Sequence, residues 1–198
     1  MKCPTPSPEW LTVEGTFPIR YLFRRRMLDS GGSGEFRGGL GGEIAVVPHG
    51  SPDGAINFVL SGKGSKFPMS DGLAGGGPGT ANDYVLYKGG VEVSESARIE
   101  QTDAELLTGN REPISWGVFP LKQDDAFYLR WNGGGGVGDP LARPVESIVR
   151  DVATRTLSVE AAEKIYGVVI RDGAADEQAT RALRQSMRQS RIEQGVHA

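Results

Sequence analysis

From Ala126 to Trp131 apolar and polar positions alternate, placing Phe127, Leu129 and Trp131 on one face of a predicted strand. Strands are also predicted at Glu43–Val47 and Ala55–Ser61, joined by a turn through Pro52, Asp53 and Gly54. Asp83–Tyr87 and Val91–Ser94 flank Lys88-Gly89-Gly90, which reads as a hairpin. The run F-P-I-R-Y-L-F-R from Phe17 alternates imperfectly and leads into Arg24, Arg25 and Arg26. It predicts a strand with a basic outer face, whose charge suits a solvated edge that deters strand pairing.

Beyond residue 140 the periodicity becomes helical. Pro144 suits a first helical turn, with Ile148, Val149 and Val152 following on one side. Ser158 is placed to cap a second short helix that stops at Gly167, and Val168–Ile170 reads as a brief strand or extended link. Asp176 to Glu193 predicts a polar helix whose apolar stripe, Ala179, Ala182, Leu183, Ser186 and Met187, is narrow. Such a tail rests on a partner or frays. Residues 1–16, with three prolines and no periodic pattern, predict an extended arm with Trp10 and Leu11 as an anchor on another surface. The expected fold is mainly β with a C-terminal helical segment, an α+β chain built on a glycine-rich antiparallel β domain. Its expected divisions are the arm at 1–16, the β domain at 17–140, a small helical segment at 141–170 and the polar tail at 171–198.

The 198 residues hold 29 glycines, about twice the usual share, and only 38% hydrophobic residues, which favours a loop-rich β protein over a helical bundle. A net charge of −3 argues against nucleic acid as a partner. Cys3 is the sole cysteine, and His49 and His197 lie far apart, so neither an intrachain disulfide nor a cysteine zinc cluster is available. No apolar run is long enough to span a membrane and the N-terminus lacks a secretory pattern, so the expectation is a cytoplasmic protein with no membrane partner.

The densest glycine cluster is W-N-G-G-G-G-V-G-D-P, Trp131 to Pro140. Each glycine loses more conformational entropy on ordering than any other residue. Such a loop packs where no Cβ fits, approaches a ligand or partner closely, or stays mobile. Gly133, Gly135 and Gly138 satisfy G-x-G-x-x-G, but the helix and downstream acidic strand end of a dinucleotide site are missing from the pattern. Gly62-Lys63-Gly64-Ser65 lacks the upstream glycine of a P-loop, leaving Lys63 as a solvated lysine or a contact for an anion. No G-x-S-x-G occurs; His49 reads as a turn residue and Asp124-Asp125 as a solvated turn. No catalytic or metal-ligating constellation is expected.

Four segments in order carry a resemblance. They are D-S-G-G-S-G-E-F-R-G-G-L-G from Asp29, G-L-A-G-G-G-P-G from Gly72, G-G-G-G-V-G-D-P-L-A-R-P from Gly133 and L-S-V-E-A-A-E-K-I-Y-G-V-V-I from Leu157. Together, over about residues 17–170, they resemble the C-terminal part of hydantoinase B/oxoprolinase proteins. The resemblance implies a beta-type component of ATP-dependent enzymes, some of which hydrolyse cyclic amides and others of which carboxylate ketones such as acetone and acetophenone. In that chemistry ATP phosphorylates a poorly reactive carbonyl oxygen, or its enol.

The family's beta component is longer, and related carboxylases carry their metal ligands in its N-terminal bulk. The expectation is therefore a small subunit of a multisubunit ketone carboxylase, structural or chamber-completing and inactive alone. Its implied partners are hydantoinase A-like and beta-type companions, with ATP and a divalent metal held by those partners and no cofactor by this chain. A subunit of a cyclic-amide hydrolase (hydantoinase, N-methylhydantoinase, oxoprolinase or lactamase) is the alternative, and a stand-alone β-rich binding module is a third reading. Candidate binding or interface residues are Gly133, Gly134, Gly135, Gly136, Gly138, Asp139, Lys63, Arg37 and Trp10.

Overall fold

The computed structural model describes residues 8–51, 54–89 and 107–195, with the backbone alone for residues 8–11. The chain divides into two compact units. Met1–Arg25, Gly42–Phe67 and Ala81–Trp131 form the first; Arg26–Gly41, Pro68–Thr80 and Asn132–Ala198 form the second. This division differs from the contiguous β domain expected over 17–140, because the glycine-rich segments in 26–41, 68–80 and 132–138 group with the helical part.

The first unit is antiparallel β. Strands β1 (Ile19–Arg26), β2 (Gly42–Pro48), β4 (Asp83–Lys88), β5 (Asn110–Pro113) and β7 (Ala126–Arg130) form one sheet in the order β1-β2-β7-β4-β5. Strands β3 (Ala55–Leu60) and β6 (Gly117–Lys122) form a separate pair. Register sets Ala45 opposite Tyr128 and Tyr128 opposite Val85. With a side-chain period of two, that register collects Phe23, Ala45, Val47, Val85, Tyr87, Ala126 and Tyr128 into one buried face, joined by Leu107. Phe127 points the other way and meets Phe58 of β3 at 4.6 Å between ring centroids. The alternation of Phe127 and Leu129 thus holds, but Ala126 and Tyr128 are the more deeply buried pair. Glu43 is buried and receives hydrogen bonds from Arg25 Nε at 2.5 Å and from the Tyr128 hydroxyl. Polar groups taken this far from water must be paired in this way.

Two expectations change. Pro8–Thr16 is a helix, α1, where an extended arm was expected. Pro8 has the fixed φ that suits a first helical position, and Glu9 favours a first turn. Asp125 is only 6% exposed, and its carboxylate accepts from the Lys122 and Gly89 amides, so the acidic pair is not simply a solvated turn. The second strand of the hairpin proposed through Val91–Ser94 lies outside the described residues; β4 pairs with β5 and β7.

The second unit carries helices α2 (Val145–Ala153), α3 (Val159–Lys164) and α4 (Glu177–Glu193). Ser158 Oγ accepts from Ala161 N, so the predicted cap forms, and Asp176, read as the first residue of the polar helix, caps it by accepting from Ala179 N. Gly167 ends the α3 turn at φ 62°. Ile148, Leu157, Ala161, Ala162, Tyr166 and Val168 make this unit's core. Strands β8 (Ile170–Arg171) and β9 (Ala174–Ala175) are joined by Asp172-Gly173, both at positive φ, the backbone that a two-residue hairpin turn requires.

Candidate functional site

Within the second unit the three glycine-rich segments, 31–41, 71–79 and 132–138, come together backbone to backbone. A Cβ on Gly38 would lie 2.0 Å from the Gly134 carbonyl oxygen, and one on Gly133 would lie 1.9 Å from that of Ser30. Gly76 and Gly136 are equally confined, by the carbonyl oxygens of Gly136 and Ser33 at 2.2 and 2.0 Å. None of Gly133–Gly136 has positive φ. At Gly133, Gly135 and Gly136 glycine is demanded by the closeness of neighbouring chain, not by a left-handed backbone; a Cβ on Gly134 would meet Gly39 N at 3.2 Å.

That closeness consumes the loop's own polar groups. Gly134, Gly136 and Gly138 donate their amides to the carbonyls of Gly39, Gly77 and Leu73, each at 2.9 Å. Gly133 N donates to Thr80 Oγ1 at 3.2 Å. Ser30 is fully buried: its hydroxyl donates to Met27 O and accepts from Gly41 N, while its carbonyl accepts from Thr80 N. Amides spent in this way cannot cradle a phosphate, so the G-x-G-x-x-G spacing does not form a nucleotide loop.

Around the glycine assembly sits a ring of arginine–carboxylate contacts that the sequence reading did not assign. Asp151 accepts from Arg37 Nε at 3.2 Å and Nη2 at 3.4 Å, and from Arg143 Nη2 at 2.8 Å. Arg143 also donates to Glu35 O at 2.9 Å. Arg37 was a candidate binding residue; its guanidinium is directed to Asp151 and to the Gly38 carbonyl. Asp139 caps the 3-10 turn Pro140–Ala142 through Leu141 N and accepts from Arg191 Nη1 at 2.7 Å. Burial presses the Asp139 pKa upward, but the Arg191 hydrogen bond, the Leu141 amide and the charges of Arg191 and Arg188 prevail, holding it below the ordinary value. Burial, then the Arg188 charge, lowers the Arg184 pKa against the pull of Asp139. Burial also raises the Tyr166 hydroxyl, opposed by the nearby Arg143 and Arg37 charges.

The other candidates fall elsewhere. Lys63 is exposed in the first unit, where its carbonyl accepts from Asn82 and Tyr84. Trp10 lies on α1, and its side chain is outside the described residues. The predicted polar tail helix is bound to its own unit. Arg184 donates to Tyr166 O and Arg143 O, Arg188 to Leu141 O, and Thr180 Oγ1 accepts from Val169 N. Only Arg181 of the four tail arginines makes just an exposed i,i+4 pair, with Glu177.

A further set of residues was missed. Phe36, Leu73 and Val137 lie one in each of the three glycine segments, bridge-paired as Phe36 with Val137 and Leu73 with Val137. They are 67%, 68% and 41% exposed. The available signal was a bulky apolar residue set among glycines in each run, with Leu40 a second one beside Phe36 in the first. No group of three His, Cys, Asp or Glu side chains suited to a metal ion occurs among the described residues. No described helix is long and apolar enough to cross a membrane.

Residues 5–140 match the model of the family described as hydantoinase B/oxoprolinase. The chain belongs to the hydantoinase B/oxoprolinase family. The match begins upstream of the expected residue 17 and takes in α1. This hydantoinase B/oxoprolinase chain is 34% identical to caprolactamase subunit beta of Pseudomonas jessenii, over 87% of this chain and 27% of that one. It is 30% identical to the acetone carboxylase alpha subunit of Xanthobacter autotrophicus, over 90% of this chain and 25% of the relative. Among solved structures it resembles nucleotide-free acetone carboxylase, with TM-score 0.70 and 28% identity over 89% of this chain and 25% of that one. It also resembles the ATP-dependent caprolactamase of P. jessenii, with TM-score 0.67 and 27% identity over 89% of this chain and 28% of that one. The chain thus spans about a quarter of the length of the relatives it matches.

Proposed function

We propose that this chain is a structural, chamber-completing subunit of a multisubunit ATP-dependent complex that carboxylates a ketone. The observation that carries the reading is its alignment, nearly end to end, with about a quarter of the acetone carboxylase alpha subunit. The internal chemistry supports it. The Gly134, Gly136 and Gly138 amides are bonded to the chain's own carbonyls, and the Asp151 carboxylate is held by Arg37 and Arg143. What these residues provide is a rigid framework, so ATP and the divalent ion are assigned to partner subunits of hydantoinase A-like and beta type. No step is routed through this chain.

The 34% identity to caprolactamase subunit beta favours a second reading, a subunit of an ATP-dependent cyclic-amide hydrolase. One experiment separates the two. The complex reconstituted with its companions is given acetone or acetophenone with bicarbonate and ATP, and in parallel caprolactam with ATP. Carboxylated ketone supports the first reading, and ring-opened lactam the second. ATP hydrolysis by the homogeneous isolated chain overturns both.

A further inference from the structure

Phe36, Leu73 and Val137 come from segments far apart in sequence, yet lie side by side and open to solvent. Their backbones offer nothing further to a ligand. Phe36 N donates to Val137 O and Val137 N to Phe36 O, both at 2.9 Å. Leu73 N donates to Gly136 O at 2.9 Å, while its carbonyl accepts from Gly76 and Gly138. Strand addition is therefore closed to this surface, and any recognition goes through three apolar side chains.

Their positions are fixed before any partner arrives. A Cβ on Gly34 would lie 2.6 Å from Val137 O, one on Gly72 1.9 Å from Gly76 O, and one on Gly76 2.2 Å from Gly136 O. The supporting loops are packed as tightly as backbone allows. Between Leu73 and the next glycine, Ala74 is held at φ 50°, a conformation that costs a non-glycine residue energy. Apolar side chains exposed on a rigid, strained support are organised for burial, since little further ordering is needed on binding.

We infer that this triad is an anchor for the beta-type companion polypeptide, which seats it in an uncharged apolar pocket. The inference rests on the proposed function and names the partner surface within it. Two facts select this occupant. The relatives carry this fold within chains about four times as long, so most of their length is protein that must pack on it or near it. Three side chains also present only a few hundred Å², well short of the roughly 800 Å² per partner of a stable stand-alone interface. A self-dimer resting on them alone would not hold, whereas a small buried cluster within a larger interface is how binding energy is usually concentrated.

The test measures affinity of the full 198-residue chain for the separately purified beta-type companion, with Phe36→Asp, Leu73→Asp and, as an exposed apolar control on α4, Ile192→Asp. The two tip variants should melt and scatter like the parent chain and lose about a hundredfold in affinity, the scale of a lost interface anchor. The control should bind like the parent. Undiminished binding by both tip variants overturns the anchor while leaving the subunit assignment standing. Failure of the parent chain to bind the companion overturns the subunit assignment itself. Self-association of the parent chain that the tip variants abolish assigns the surface to a second copy, which also overturns the inference.

Discussion

Arg191 and Asp139 stand 52 positions apart, and the guanidinium donates to Asp139 Oδ1 at 2.7 Å, the same oxygen that accepts the Leu141 amide at 2.9 Å. One carboxylate oxygen thus ties the last turn of α4 to the end of the glycine loop and starts the 3-10 turn that follows. Because the Asp139 pKa is lowered in the folded chain, its contribution is complete above the unfolded value, about 3.9. The contribution is lost as pH falls through the lower folded value. Asp139→Ala should therefore cost about 1–2 kcal/mol at pH 7, from the lost cap and the partly exposed pair. Denaturant unfolding followed from pH 7 to pH 3 should show parent and variant converging toward the acid end. A gap that stays constant with pH would refute the assignment.

Neighbouring glycines should respond in opposite ways to the same substitution. Gly38→Ala places a methyl 2.0 Å from a backbone oxygen and should cost more than about 3 kcal/mol or prevent folding. At Gly39 nothing lies within 4 Å and φ is not positive, so Gly39→Ala should be neutral or stabilise by up to about 1 kcal/mol. Equal thermal shifts for the two variants would mean that the loops are not packed as described.

Asp151 holds two guanidinium groups whose side chains are 17% and 13% exposed. Asp151→Ala leaves both cations without their shared carboxylate and should cost about 3–5 kcal/mol. Asp151→Asn keeps some acceptor capacity and should cost less. A double-mutant cycle with Arg143→Met should return a coupling of at least about 1 kcal/mol, and strict additivity would contradict the pairing.

Removal of α4 should loosen its own unit. Arg184 and Arg188 donate to the carbonyls of Tyr166, Arg143 and Leu141, and Thr180 accepts from the Val169 amide. A chain ending at Asp176, which keeps β9, should lose hydrogen-exchange protection at Ile148, Ala162 and Val168 while β2, β4 and β7 keep theirs. Unchanged protection at those core amides would make the helix dispensable.

The local pattern alone determined the strands around Ala45, Val85 and Tyr128, the cap at Ser158, the stop at Gly167 and the helix from Asp176. Each depends on neighbours within a few positions, where periodicity and capping chemistry act. The four ordered motifs likewise placed the chain in its family. What the sequence could not assign was distance between segments. Four adjacent glycines are compatible with a mobile loop, a ligand contact or dense packing. Only the approach of Ser30, Ser33 and Asp71 carbonyls to within 2.0 Å of the Cβ positions decides for packing. The polar tail helix read as resting on a partner or fraying until tertiary structure set Arg184 and Arg188 against carbonyls of Leu141, Arg143 and Tyr166. Phe36, Leu73 and Val137 were isolated apolar residues in three glycine runs until backbone hydrogen bonds made them neighbours. Side-chain period reports which face of an element is apolar; which distant face it meets is a property of the folded chain.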